Sequence, residues 1–238
     1  MSTVTYNRFT DMFSKFPEIK TGVWISLAAI LVFGLLLILF RKRWTTRMLT
    51  YGAVCIALSF ILSYIRIYRM PQGGSITPGS MLPLMLYSYV FGPAAGISAG
   101  AIYGLLQLFQ DFYVVHPVSL LMDYVLAFAM LGLAGFSKKH LAPGVLLAGV
   151  GRWFWHFLSG FIFFGSYAWE GWNPVAYSAV YNGIVIGPDL LICFVIALIP
   201  AISHLADRLR DEIGALGKKK AKQTAEASGS SAQENDAE

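Results

Sequence analysis

The chain has 238 residues, of which 56% are hydrophobic and 13% charged. A soluble domain is roughly a quarter charged, so this composition excludes an ordinary soluble fold and points to a membrane. Several apolar runs approach or exceed the roughly 18 to 20 residues that a spanning helix needs, which predicts an all-α membrane protein rather than a barrel of short alternating strands. The formal net charge of +5 lies largely in clusters beside those runs, where it reports topology better than nucleic-acid binding. Cys55 and Cys193 both fall inside apolar runs, a placement that supports neither a disulfide framework nor a thiolate metal site.

Residues 1–20 are mixed polar and aromatic, and 21–40 form an uninterrupted apolar span closed by Arg41, Lys42 and Arg43. A secretory signal carries its positive charge before the apolar core, so the reversed order predicts a retained span with the N-terminus outside. The second span, about 48–65, contains Ala53 and Ala57, a small-xxx-small pair that either admits another helix or fills an internal packing site. Residues 66–80 are rich in glycine and proline and predict a loop long enough to serve as a lid. A short apolar run over 81–91 turns at Gly92 and Pro93 into a helix whose Gly96, Gly100 and Gly104 recur every four residues, a pattern for close helix packing. The loop QDFYVVHP then leads to a helix over about 118–136, with Asp123 and Tyr124 near its start and the basic turn Ser137, Lys138 and Lys139 after it.

Residues 151–183 are as aromatic as a protein core, yet an arginine, a histidine, a glutamate and two asparagines are set into them. Polar groups at membrane depth are costly and mark function. Taken as one helix, 144–164 places Arg152, His156 and Gly160 on one face, so a cation, an imidazole and a gap line one wall. The segment 166–174 breaks that helix at Gly171 and Pro174, and its Trp169 and Trp172 either anchor to headgroups or cover a cavity. Beyond it Ser178 and Asn182 repeat at four, flanked by Tyr177 and Tyr181. The last span, about 174–203, is interrupted by Pro188, and Asp189 either satisfies the resulting kink or faces the cavity. The charged, then small and polar tail after Asp207 is expected to be disordered.

Seven spans put the termini on opposite sides, and the basic clusters all fall on the side of the C-terminus, which is therefore cytoplasmic. Three loops meet at the other side, beside Asp123, Arg152, His156 and Asn182, and predict a pocket opening outward. One carboxylate backed by tyrosines and aromatic faces suits a flat ligand with a positive ring. His156 can stack or hydrogen-bond, and Asn182 and the tyrosines can hold a hydroxyl or ring nitrogen. Arg152 pairs with Asp123 or with an anionic tail on the ligand; an internal Asp123–Arg152 pair that only fixes helix register is the plain alternative. Catalytic signals are weak: HExxH and GxxxxGK[ST] do not occur, and a hydrolase built on His156, Asp123 and Ser159 does not follow from their separations. A membrane enzyme or a purely structural bundle remains the rival class.

The run WHFLSGFIFFGSYAWEGWNPVAYSAVYNG closely resembles the thiamine-specific S-components of energy-coupling factor transporters, and the stretch MPQGGSITPGSMLP and the pair Ala53 and Ala57 also look like that family. The resemblance covers about 48–205. It implies an S-component-like six-helix bundle over 46–207, with an extra N-terminal transmembrane helix within 1–45 and a cytoplasmic tail over 208–238. It further implies a non-enzymatic subunit without cofactor or metal, which captures thiamine tightly from outside and delivers it through a transmembrane coupling protein and two ATP-binding cassette ATPases. Ala53 and Ala57 match the motif that meets the coupling protein. Pocket residues carry over as Tyr113, Asp123, Tyr124, Arg152, His156, Gly160, Phe164, Tyr177 and Asn182. Asp123 stands where a glutamate is familiar, Arg152 where a lysine is, and Phe164 where a tryptophan stacks on the ligand; the lid also lacks an aromatic that some members place over the site. These departures leave room for a related pyrimidine or thiazole compound.

Overall fold

The computed structural model describes residues 44–110 and 113–235, with side chains up to residue 217, so the expected span over 21–40 lies outside the described residues. Helix α1 (Thr46–Tyr64) is followed by a hairpin of β1 (Tyr68–Arg69) and β2 (Ser75–Ile76), then α2 (Leu82–Phe91), α3 (Pro93–Gln110), α4 (Pro117–Phe136), α5 (Leu141–Phe163), α6 (Pro174–Leu198) and α7 (Pro200–Asn235). Helices α1, α4, α5 and α6 are long and apolar enough to cross a membrane. The short α2 is the most enclosed of the helices: Leu84 and Met85 have no exposed surface, and α1, α3, α4, α5 and α7 all pack against it.

The glycine repeat on α3 does what its spacing predicts. A Cβ at Gly96 would collide with the Ser88 hydroxyl, one at Gly100 with the Phe128 carbonyl, and one at Gly104 with the Tyr124 carbonyl. Helix α3 therefore lies directly on the backbone of α4, an approach that any side chain would prevent. Helix α4 itself changes winding. It begins as α-helix behind a His116 cap, whose Nδ1 accepts from the Val118 N–H at 3.1 Å, widens to a π-turn over Leu121–Leu126, and tightens to 3-10 geometry over Met130–Phe136. Such widened turns recur at functional sites because they re-aim side chains without ending the helix. Here the widened turn carries Asp123 and Tyr124.

On α1 the buried residues are Met48, Gly52, Ser59 and Ser63, whereas Ala53 and Ala57 are exposed and fill no internal packing site. Two expectations need correction. Pro188 does not interrupt the last span, because α6 continues through it to Leu198; the break falls at Ile199, where the following Pro200 disfavours helical backbone. The chain beyond Asp207 is not without fold, since α7 runs on to Asn235. Its charge argues against a core but not against a helix, and alanine, lysine, glutamine and glutamate are all strong helix formers. The inner stripe of α7 packs Ile202, Ala206 and Ile213 against the bundle. The Tyr89 hydroxyl donates to Asp207, and the Arg210 guanidinium stands 4.9 Å over the Tyr89 ring and donates to the Lys138 carbonyl.

Candidate functional site

At the end of the bundle away from that cluster, α1 and α3 to α6 enclose a cavity of about 150 Å3 roofed by the hairpin. All nine residues expected at a pocket line it: Tyr113, Asp123, Tyr124, Arg152, His156, Gly160, Phe164, Tyr177 and Asn182.

The α5 face is built as the spacing predicts. His156 Nδ1 lies 3.0 Å from Asp123 Oδ1, and the Ser159 hydroxyl donates to Asp123 Oδ2 at 2.6 Å. A carboxylate offers only acceptors, so Nδ1 carries a proton toward Asp123 and Nε2 is left for another partner. That Nε2 is buried without a partner. The arrangement also disposes of a hydrolase reading. In a nucleophilic triad the histidine stands between serine and carboxylate, whereas here the carboxylate stands between serine and histidine, and the Ser159 proton is directed away from the imidazole.

Arg152 does not pair with Asp123, contrary to one expectation. Its guanidinium carbon sits 4.3 Å from the centroid of the Phe128 ring, its Nε is buried without a partner, and it makes no ion pair among the described residues. Asp189 on α6 lines the same cavity. Asp189 in turn does not serve the turn at Pro188: its oxygens hold the loop that follows the hairpin.

Gly160 explains how α6 joins the wall. A Cβ there would strike the Ser178 hydroxyl and would lie 3.1 Å from Asn182 Nδ2. Into that gap Asn182 Nδ2 reaches the carbonyls of His156 (3.2 Å) and Ser178 (2.9 Å), which leaves the amide oxygen for a ligand. The aromatic lining comes from loops and helix ends. Tyr113 and Phe164 stack at 6.0 Å and 22°, short of the roughly 7 Å that a flat ring between them would need, so the pair forms one closed aromatic face. The Tyr124 hydroxyl accepts from the Tyr113 N–H at 3.0 Å. Trp169 meets Tyr177 edge-on at 5.2 Å and is 39% exposed, so it packs behind a residue of the cavity wall without lining the cavity itself.

Sequence reasoning missed a second, polar wall. Tyr103, Gln107 and Gln110 lie on one face of α3 and line the cavity with Ser63 of α1. Gln110 Nε2 donates to the Ser63 carbonyl at 2.9 Å, and the Ser63 hydroxyl returns a bond of 2.7 Å to Gln110 Oε1. Their spacing of four and three inside an apolar helix was the available signal. Phe128, four residues after Tyr124, was missed in the same way.

A family model described as "Thiamine transporter protein" matches residues 49–207, which include every helix that borders the cavity. The chain belongs to this thiamine transporter family. Thiamine transporter ThiT of Bacillus subtilis strain 168 is 32% identical over 163 residues, which span 60% of this chain and 84% of that protein. Thiamine transporter ThiT of Lacticaseibacillus paracasei is 27% identical over 151 residues, 55% of this chain and 75% of the relative. The solved structure of ThiT from Listeria monocytogenes superposes with a TM-score of 0.60 at 27% identity, covering 67% of this chain and 96% of that one. Membership of the thiamine transporter family together with four spanning helices makes this a membrane protein, and the relatives are transporters, not enzymes. Most of α7 lies beyond the matched region.

Proposed function

We propose that the protein binds thiamine with high affinity, as the substrate-capturing S-component of an energy-coupling factor importer. The observation that carries this reading is a pair of buried polar atoms without partners, Arg152 Nε and His156 Nε2, in a cavity that also holds a carboxylate and stacked rings, within a thiamine transporter family. Buried polar groups cost stability unless satisfied, and a ligand that satisfies them recovers that cost as affinity. In this reading Asp123 orients His156 toward the ligand's aminopyrimidine, Phe164 and Tyr113 stack on a ring, and Tyr124, Tyr177 and Asn182 orient the polar ends, with Gly160 leaving the room. Capture occurs from outside: Lys138, Lys139, Arg208 and Arg210 lie toward the end opposite the cavity, which is then cytoplasmic, with the N-terminus outside. Residues 46–207 form the substrate-binding unit, and the chain from 208 to 235 reaches the cytoplasmic side.

Delivery is assigned to partners, namely a transmembrane coupling protein that meets Ala53 and Ala57 and two separate ABC ATPases. The exposure of that alanine pair on α1 supports the docking. Replacing both alanines by tryptophan is expected to abolish uptake in cells and leave thiamine titrations of the purified protein unchanged.

The deciding experiment is a calorimetric and tryptophan-fluorescence titration of the purified chain with thiamine, its phosphates and its two ring halves. Nanomolar, saturable thiamine binding supports the reading. Tighter binding of one isolated ring would replace thiamine with a simpler pyrimidine or thiazole, and no binding of any would end it.

A further inference from the structure

Helix α7 stays at one level of the bundle. Its first residue, Pro200, follows directly on the end of α6 at Leu198. Further along, the Arg210 guanidinium donates to the Lys138 carbonyl, in the turn that joins α4 to α5, and stands over the ring of Tyr89 close to the end of α2. From Pro200 to Arg210 a helix rises about 15 Å. Continued along the axis of α6, it would carry Arg210 that far past the ends of the spanning helices; folded back alongside α6, it would carry Arg210 as far into the membrane. Instead α7 meets α6, α5 and α2 at one end of the bundle, so it lies across that end, in the plane of the membrane surface.

The contact stops part-way along the helix. Ile202, Ala206, Leu209 and Ile213 recur every three to four positions and are buried or half-buried, whereas Gly214 to Gly217 are all exposed. Leu216 continues the same stripe and is 47% exposed, past the edge of the bundle. The helix nonetheless runs on to Asn235, about 33 Å beyond Ile213 by its rise per residue. What borders the bundle at that level is lipid headgroup: Trp44 at the start of α1 and the exposed Lys138 and Lys139 mark the same surface. The sequence supplies matching charge there. Lys218, Lys219, Lys220 and Lys222 fall just past the bundle, and no acidic residue occurs between Glu212 and Glu226.

We propose that α7 continues past the bundle as an interfacial helix, and that its 214–222 stretch docks on anionic phospholipid headgroups, with Leu216 as an apolar anchor and the four lysines paired to lipid phosphates. The attraction of lysines to a charged leaflet fades within a Debye length, roughly 8 Å at physiological salt, so a helix already at headgroup level is held where a projecting tail would not be. The family match ends at 207, so this contact is an addition to the bundle rather than part of it. The idea rests on the proposed function only for calling that leaflet cytoplasmic.

The test is hydrogen–deuterium exchange on the full chain in nanodiscs of phosphatidylcholine alone or of an equal mixture with phosphatidylglycerol. With the anionic lipid, amides 214–222 are expected to exchange about tenfold slower, as the pull of a few lysines implies, while 202–213 and 226–235 do not change. Salt at about 1 M shortens the Debye length to roughly 3 Å and removes the difference. Replacing all four lysines by glutamine removes it too, and Leu216→Asp reduces it; both sets of changes lie past the bundle contact, so melting of the bundle stays as it was. Equal exchange at 214–222 in the two lipid mixtures overturns the proposal. So does protection that salt and the glutamine variant leave intact, which would mean that the helix holds to protein instead. In cells, a Ser230→Cys variant is expected to react with a membrane-impermeant maleimide only after the cells are opened. Reaction from outside overturns the cytoplasmic assignment, and the nanodisc arm, with the same lipids in both leaflets, then decides the docking by itself.

Discussion

The two ends of the bundle handle polar groups in opposite ways. At the end where α7 docks, Tyr89, Asp207, Arg210 and the Lys138 carbonyl satisfy one another, and the helix is clasped by that closed circuit. At the cavity end, Asp123 is fully engaged, yet the side chains it and its neighbours present inward, His156 Nε2 and Arg152 Nε, have no protein partner. The difference teaches that a polar cluster in a membrane bundle declares its purpose by its leftovers. A closed circuit holds the fold together, and an open one is arranged for something that arrives later.

The sharpest way to break this comparison is Asp123→Asn. It preserves shape, but it substitutes an amide for one of the two acceptors that His156 and Ser159 require, so thiamine affinity is expected to fall about a hundredfold, roughly 3 kcal/mol, while the melting temperature moves little. Isothermal titration and thermal unfolding measured side by side check both halves. Gly100→Leu strikes the scaffold between the two ends. Its side chain would push the Phe128 carbonyl, and the Arg152 wall with it, so melting should fall by about 2–10 °C on a destabilisation of about 1–3 kcal/mol, and binding should weaken as well. Arg210→Ala is the smallest of the three and the cleanest contrast. The side chain is partly exposed, which limits the loss to about 1 kcal/mol, read as a few degrees in melting, and thiamine binding should not change. Weakened binding in Arg210→Ala, or a collapsed fold in Asp123→Asn, would erase the distinction between the ends.

Much of this arrangement was legible from residue spacing. Arg152, His156 and Gly160 share a face because a straight helix returns every four residues to nearly the same side, and the α3 glycines announced a close contact because nothing else tolerates one. What escaped depends on contacts between distant parts of the chain. Arg152 and Asp123 look like natural partners by charge, but His156 and Ser159 occupy both oxygens of Asp123, and Arg152 lies over the Phe128 ring. The two prolines of the last segment show the same limit. Helix α6 runs through Pro188, whereas it ends just before Pro200, an outcome that a proline alone does not announce. The hairpin could be read only as a loop, because its two-residue strands fall below any periodic signal.

The widened turn of α4 has a consequence for how the family's cavity can change. A π-turn holds one residue more than a regular turn, so deleting a single position within 121–126 would let ordinary winding resume with the flanking turns still facing as they do, and only the residues of the widened turn would be re-aimed. Asp123 and Tyr124 lie within that turn, so their aim into the cavity is what such a deletion would change. The acidic heart of the site thus depends on one surplus residue, a place where length rather than chemistry decides whether the chain can hold its ligand.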